Sequence, residues 1–170
     1  MSTRPTTSQR PSRQGSDRLL VLGLGNPLLG DDSVGLRVVR DLCPKCDAWP
    51  NVSLAEDYWG GLRLMERLVG FERAVIVDAI CSGGVPGTVR VLSPDAIPTQ
   101  HSSSAHDVNL QTALALGRQA GAQLPTTENI RLVAIEAADV LTFCQECTPS
   151  VQGAIEQAAD TVLAILQTWR

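Results

Sequence analysis

Three side chains that can bind a metal ion each come after a predicted strand. Asp32 lies just after the first strand, Asp78 closes the third, and His106 follows the fourth strand and its loop at the start of a helix. Because the carboxyl ends of parallel strands share one edge of a sheet, we expect the three on one rim. Two carboxylates and an imidazole suit a divalent ion with open positions, namely nickel, zinc, manganese or iron. General acid–base catalysis by the two aspartates is the alternative chemistry.

The first of these residues belongs to a strand–turn–helix unit. The apolar run 19–22 predicts a buried strand, and Gly23 and Gly25 predict a tight turn after it. A helical pattern begins at Val34. Acids at a helix start are usually caps, so either Asp31 or Asp32 could cap this helix.

The rest of the chain alternates strands and helices, which predicts a mostly parallel α/β sheet with helices on both faces. We expect Val89 to Leu92 to form an edge strand that runs antiparallel, since a short loop precedes it. Residues 1–17 predict a disordered tail, and 18–170 a single α/β domain. The further predicted strands are 52–55, 74–77 and 132–135, and the further helices are 60–69, about 106–120 and one from Val151 to Leu166.

The composition excludes several kinds of partner. The net charge is −4, and the arginine-rich tail makes the remainder more acidic still, which argues against a nucleic-acid surface. No run of eighteen apolar residues is present to span a membrane, and the first residues lack the apolar core of a secretory signal. We therefore expect a cytoplasmic protein whose five cysteines are thiols.

Three motifs in order resemble those of the nickel–iron hydrogenase maturation endopeptidases. The first, G-x-G-N-x-L-x-x-D-[DE]-x-x-G, matches residues 23–35, and the second matches Asp78-Ala79-Ile80 followed by Pro86-Gly87-Thr88. The third, S-x-H-[DEQ] before a leucine helix, matches residues 104–110. The resemblance runs from about Leu19 to the last helix. It departs from the family after the second strand, where D-x-G-T-x-G is replaced by residues 56–61.

The resemblance implies a three-layer αβα sandwich around a five-stranded twisted sheet with one antiparallel strand. It implies a protease that removes a C-terminal extension from the nickel-loaded hydrogenase large-subunit precursor. Asp32, Asp78 and His106 would bind the nickel that the precursor carries and act in catalysis, with zinc or cadmium able to replace nickel in crystals. Because the resemblance assigns Asp32 to the metal, it leaves Asp31 as the expected cap of the first helix. Substrate-binding roles are expected for residues at the first turn and the second strand end: Gly25, Asn26 and Glu56.

Other interpretations remain open from the sequence. A non-catalytic maturation chaperone could share the fold, and peptidyl-tRNA hydrolases open with a similar G-L-G-N-P turn but continue differently and have a basic face. Cys43/Cys46 and Cys144/Cys147 have zinc-site spacing, although we expect the two pairs at opposite ends of the sheet. Cys81 could be a nucleophile paired with His106.

Overall fold

The sheet and its helices follow the alternation that the sequence predicts. The computed structural model describes residues 18–58, 61–94 and 110–169. The strands in this part of the chain are β1 (Leu19–Leu24), β2 (Val52–Asp57), β3 (Arg73–Ile80), β4 (Val89–Leu92) and β5 (Ile130–Glu136). The α-helices in it are α1 (Val34–Cys46), α2 (Gly61–Leu68), α3 (Leu110–Gln119) and α4 (Pro149–Thr168). A 3-10 turn, Gly30–Ser33, leads into α1.

The strand order β2-β1-β3-β5-β4 places a topological switch point between β1 and β3. The chain leaves β1 towards β2 on one side and leaves β3 towards β5 and β4 on the other. Gly23 of β1 pairs with Val77 of β3, so the two strands end side by side. A crevice opens at the carboxyl ends of strands at such a point, which is where open α/β sheets bind ligands.

Successive side chains of a strand point to opposite faces of the sheet, so alternate residues belong to two separate apolar layers. Val21, Val75 and Val133 face α1 and α4 on one side of the sheet. Leu22, Ile76 and Leu132 face α2 and α3 on the other. The three-layer αβα sandwich is thereby confirmed.

The antiparallel pairing of β4 with β5 confirms the prediction for that strand. The other strands run beyond the predicted apolar cores, and β2, β3 and β5 extend to or past an acidic residue at the carboxyl edge: Asp57, Asp78 and Glu136 respectively. The predicted tail 1–17 and the predicted helix start at His106 lie outside the described residues.

None of the helices in the described part of the chain is both long enough and apolar enough to span a bilayer.

Candidate active site at the carboxyl edge of the sheet

Two glycines allow the first motif to pack closely against the ends of β1 and β3. Gly25 has a φ of 143°, and a Cβ there would stand 1.8 Å from the carbonyl oxygen of Asp32. A Cβ on Gly35 would stand 2.3 Å from the carbonyl oxygens of both Leu24 and Val77. Only glycine permits these approaches. The small size of Gly25 is therefore required by packing within this chain, whereas its predicted contact with substrate stays a prediction.

Asp32 and Asp78 both lie beside the β1–β3 switch point. Asp32 belongs to the 3-10 turn, which contacts β3, and Asp78 is in β3 itself. Both are buried, with relative exposures of 8% and 7%. The backbone N–H of Asn26 donates to Asp32 Oδ2 at 2.8 Å, and that of Ala79 donates to Asp78 Oδ1 at 2.8 Å. Backbone donors thus orient both predicted carboxylate ligands.

The donor set at the crevice fits a divalent cation, because two carboxylates supply hard oxygen ligands and negative charge. Within the described residues, no group of three or more His, Cys, Asp and Glu side chains is arranged to hold a metal ion. The predicted third ligand, His106, lies outside the described residues. Asp32, Asp78 and His106 therefore remain the predicted ligand set.

Asp31 does not cap α1, so the expectation for this residue is wrong. Neither the 3-10 turn nor α1 has a side-chain cap, and the Asp31 carboxylate turns instead towards the loop after β5. It is fully buried and accepts hydrogen bonds from the N–H groups of Ala138, Asp139 and Thr148 and from the Thr148 hydroxyl, at 2.6–3.1 Å. This aspartate joins the first motif to the loop of residues 137–148 because that loop folds over the turn.

At the end of β2, the two neighbouring acids have different environments. Glu56 is half-buried and forms a two-point ion pair with Arg40, through Nε and Nη2 at 2.9 and 2.7 Å. Asp57 is buried and lies 3.3 Å from Nε of Arg63 and 3.1 Å from Nε of Arg67. The predicted substrate contact of Glu56 is untested, and its carboxylate is held by an arginine of α1.

Glu136, at the end of β5, is a buried carboxylate that the sequence reasoning overlooked. It accepts hydrogen bonds from the N–H and hydroxyl of Ser82, from the N–H of Gly84, and from Arg90. Burial raises the pKa of this carboxyl, but these hydrogen bonds and the Arg90 charge outweigh it and hold the pKa below its ordinary value. The signal was available: an acid ends the apolar run of β5 just as Asp78 interrupts that of β3.

The two cysteine pairs lie at opposite ends of α1, which agrees with the prediction that they stand at opposite ends of the sheet. Cys147 Sγ is 3.7 Å from the hydroxyl of Ser33, immediately before the helix begins. Cys46 is the last residue of that 13-residue helix, about 20 Å away at 1.5 Å per residue. A shared zinc site between the pairs is therefore excluded, and each of the five cysteines is a thiol.

Cys81 is poorly suited to act as a nucleophile. Partial burial, followed by the negative charges of Glu136 and Asp32, raises the pKa of its thiol. Because the thiolate is the reactive form, this environment opposes the cysteine-protease interpretation.

A cavity of about 250 Å³ lies next to the crevice, but it is a separate space. It is lined by Gly30, Asp31, Asp139, Thr142, Cys144, Glu146, Cys147 and Thr148. Neither Asp32 nor Asp78 lines it, so it belongs to the loop after β5 rather than to the predicted ligand site.

Comparison with known proteins decides between the open interpretations. The HycI hydrogenase maturation protease model matches residues 36–165 of the chain. The chain belongs to the hydrogenase maturation protease family. The Escherichia coli hydrogenase 2 maturation protease is 31% identical over 88% of this chain and 91% of its own length. The HupD hydrogenase expression/formation protein of Rhizobium leguminosarum is 29% identical over 89% of this chain and 75% of its own length.

Solved structures agree with this family membership. The E. coli hydrogenase maturating endopeptidase HybD superimposes with a TM-score of 0.72 at 30% identity, covering 89% of this chain and 93% of that one. The family resemblance and the αβα fold are thus confirmed. The hydrogenase maturation protease family is one of endopeptidases, so the chaperone and peptidyl-tRNA hydrolase interpretations are set aside.

Proposed function

We propose that this protease removes the C-terminal extension of a nickel-loaded hydrogenase large-subunit precursor, and that Asp32, Asp78 and His106 bind the nickel carried by that precursor. The observation that supports the proposal best is the pair of buried carboxylates beside the β1–β3 switch point. Two buried carboxylates beside a ligand-binding switch point supply the hard oxygen ligands and the negative charge that suit a divalent cation. The precursor's nickel is such a cation.

The protein's part in this reaction is to present oriented oxygen ligands. The N–H groups of Asn26 and Ala79 fix Asp32 and Asp78, so little reorganisation is needed when nickel arrives. Nickel held there places positive charge beside the scissile peptide and can polarise a carbonyl or a water. Gly25, Asn26 and Glu56 are proposed to contact the peptide on either side of the crevice.

The decisive assay follows shortening of the nickel-loaded precursor by purified protein. We expect Asp32→Asn, Asp78→Asn and His106→Ala each to slow processing roughly 100-fold or more, because loss of a ligand should cost at least as much as loss of a residue that orients one. Asp41→Asn removes a surface carboxylate paired with Lys45 on α1 and is the matched control. If Asp32→Asn processes the precursor at the wild-type rate, the ligand assignment is wrong.

A cytoplasmic location and the ability of zinc or cadmium to occupy the site belong to the same proposal. They follow from the family resemblance and are checked separately, by cell fractionation and by metal titration of the purified protein. The proposed partner is the precursor, with neither nucleic acid nor membrane required.

A further inference from the structure

The first motif and the loop after β5 contact each other close to Asn26, and exposed apolar residues stand on both segments. Backbone hydrogen bonds form a parallel bridge in which Cys144 N–H donates to the carbonyl of Leu28 at 3.0 Å and Gly30 N–H donates to the carbonyl of Cys144 at 2.7 Å. The bridge pairs Leu29 with Cys144, and Leu28 and Phe143 are the residues that precede them in the two segments.

The apolar side chains on these two segments are unusually exposed. Phe143 is 81% exposed, Leu28 is 53% exposed, and Leu141, two residues before Phe143 on the same loop, is 83% exposed. We call these three residues the apolar ledge. The chain has only two phenylalanines, and Phe143 is one of them and is exposed to solvent. Large apolar side chains exposed on adjoining segments favour an interaction site.

The loop that carries the ledge is well fixed. Asp31 holds both of its ends through Ala138, Asp139 and Thr148. The carboxylate of Asp139 accepts hydrogen bonds from the N–H groups of Leu141 and Thr142 at 2.9 and 3.0 Å. A loop that is already ordered loses little entropy when a partner binds. These hydrogen bonds fix the backbone of the loop in a conformation that leaves its apolar side chains exposed.

Asn26 connects the ledge directly to the proposed nickel site. Its N–H donates to Asp32 Oδ2 at 2.8 Å, and its side-chain oxygen accepts from the N–H of Leu28 at 3.0 Å. One residue thus orients a predicted ligand and one side of the ledge.

The size of the ledge indicates what covers it. Three side chains offer on the order of 400 Å², about half of the ~800 Å² that each partner buries in a stable interface. The ledge alone could not hold a second copy of the chain. It fits as one part of a larger contact whose remainder lies at the adjacent site.

We infer that the apolar ledge of Leu28, Leu141 and Phe143 binds an apolar surface of the hydrogenase large-subunit precursor while the nickel and the scissile segment enter the site. This inference rests on the proposed function, because it assigns the surface that the proposed substrate covers. The ledge contributes affinity and position, and the chemical step takes place at the aspartates.

Steady-state processing of the nickel-loaded precursor tests the ledge through the division between KM and kcat. We expect Phe143→Ser to raise KM roughly tenfold and to leave kcat within about twofold, as for removal of an interface hot spot. Leu141→Ser should act in the same direction, and Phe143→Leu, which keeps an apolar side chain, should largely restore KM. Leu116→Ser, at a half-exposed leucine of α3, is the control and should leave KM unchanged.

The possible results separate the ledge from the proposed function. If the wild type shortens the precursor and Phe143→Ser keeps the wild-type KM, the ledge inference is overturned and the proposed function stands. If the wild type does not shorten the precursor, both fail. Should sedimentation show that Phe143→Ser only separates a dimer, with KM unchanged, the surface is a self-association site and the inference is again overturned.

Discussion

Adjacent aspartates of one motif do different work in this protein. Asp31 is fully buried and accepts four hydrogen bonds from the loop after β5, whereas Asp32 borders the crevice beside β3. The first aspartate is therefore a positioning residue, and the second is the proposed ligand. Residue type and spacing alone could not separate them in this way, because the partners of Asp31 lie more than a hundred positions away in the chain.

Asp31→Asn should destabilise the fold. An asparagine presents an amide N–H₂ to groups that are all donors, and leaving buried donors without an acceptor costs about 3 kcal/mol here. Urea denaturation measures the loss, and Asp41→Asn, on the exposed face of α1, is the control for removal of a carboxylate. A change of less than about 0.5 kcal/mol, the usual range for surface substitutions, would show that these hydrogen bonds do not hold the loop.

Glu136 should make stability depend on pH in the acid range. Its folded-state pKa lies below the ordinary 4.5, so its contribution is fully present above that pH and is lost as the pH falls through the folded value. We expect Glu136→Gln to cost about 2 kcal/mol at pH 7. The difference from wild type should shrink steadily below pH 4.5.

Denaturant titrations of wild type and Glu136→Gln at several pH values test this linkage. Glu66→Gln, at an exposed position of α2, is the control for loss of a negative charge. A stability difference between wild type and Glu136→Gln that stays constant from pH 7 to pH 3 would contradict the assignment.

At the scale of elements, glycine sets the distance between α1 and the sheet. A Cβ on Gly35 would collide with the carbonyl oxygens of Leu24 and Val77, whereas one on Gly153 in α4 meets no atom within 4 Å. We expect Gly35→Ala to destabilise by about 3 kcal/mol and to slow processing, because α1 and the turn before it must move. The matched Gly153→Ala should stabilise by about 0.5–1 kcal/mol through helix propensity.

Thermal or urea denaturation of these two variants compares the same substitution in two helices. Equal effects on stability would mean that the glycine does not set the packing of α1 against β1 and β3. Retained processing by Gly35→Ala, despite a large loss of stability, would mean that the position of Asp32 tolerates movement of α1.

The order of elements could be predicted because each buries a regular apolar pattern. β4 was predicted with its observed bounds, since turn residues flank it on both sides. β2, β3 and β5 were predicted too short, because the buried acids at their carboxyl ends interrupt an apolar pattern while remaining within the ladder. Apolar periodicity marks the core and carries little information about polar residues that are buried at an edge.

At the scale of the whole molecule, the strand order places the two proposed aspartate ligands at the same edge of the sheet. Asp32 and Asp78 are 46 positions apart in sequence, and both stand at the carboxyl edge because β1 and β3 are neighbours with their connections leaving in opposite directions. Asp32 follows β1 and Asp78 lies in β3, and their role as ligands, like the position of His106, stays a prediction. The loop after β5, which covers Asp31 and carries Phe143, could not be predicted, since its shape depends on long-range hydrogen bonds.

Processing by the intact protein should require nickel in the precursor. In the proposed function the precursor's own nickel binds Asp32 and Asp78 and so positions the scissile segment, and precursor without nickel lacks that contact. We expect precursor prepared without nickel to remain full length, and addition of nickel during its assembly to restore shortening. Gel mobility of the large subunit measures this, and equal shortening of both preparations would contradict it.

The central claim is that Asp32 and Asp78, together with His106, hold a divalent ion. The most direct measurement is anomalous diffraction from crystals of the protein soaked in cadmium or nickel. The account predicts an anomalous peak at the β1–β3 switch point, in contact with the carboxylates of Asp32 and Asp78 and the imidazole of His106. Well-occupied metal elsewhere, with none at these carboxylates, would contradict it.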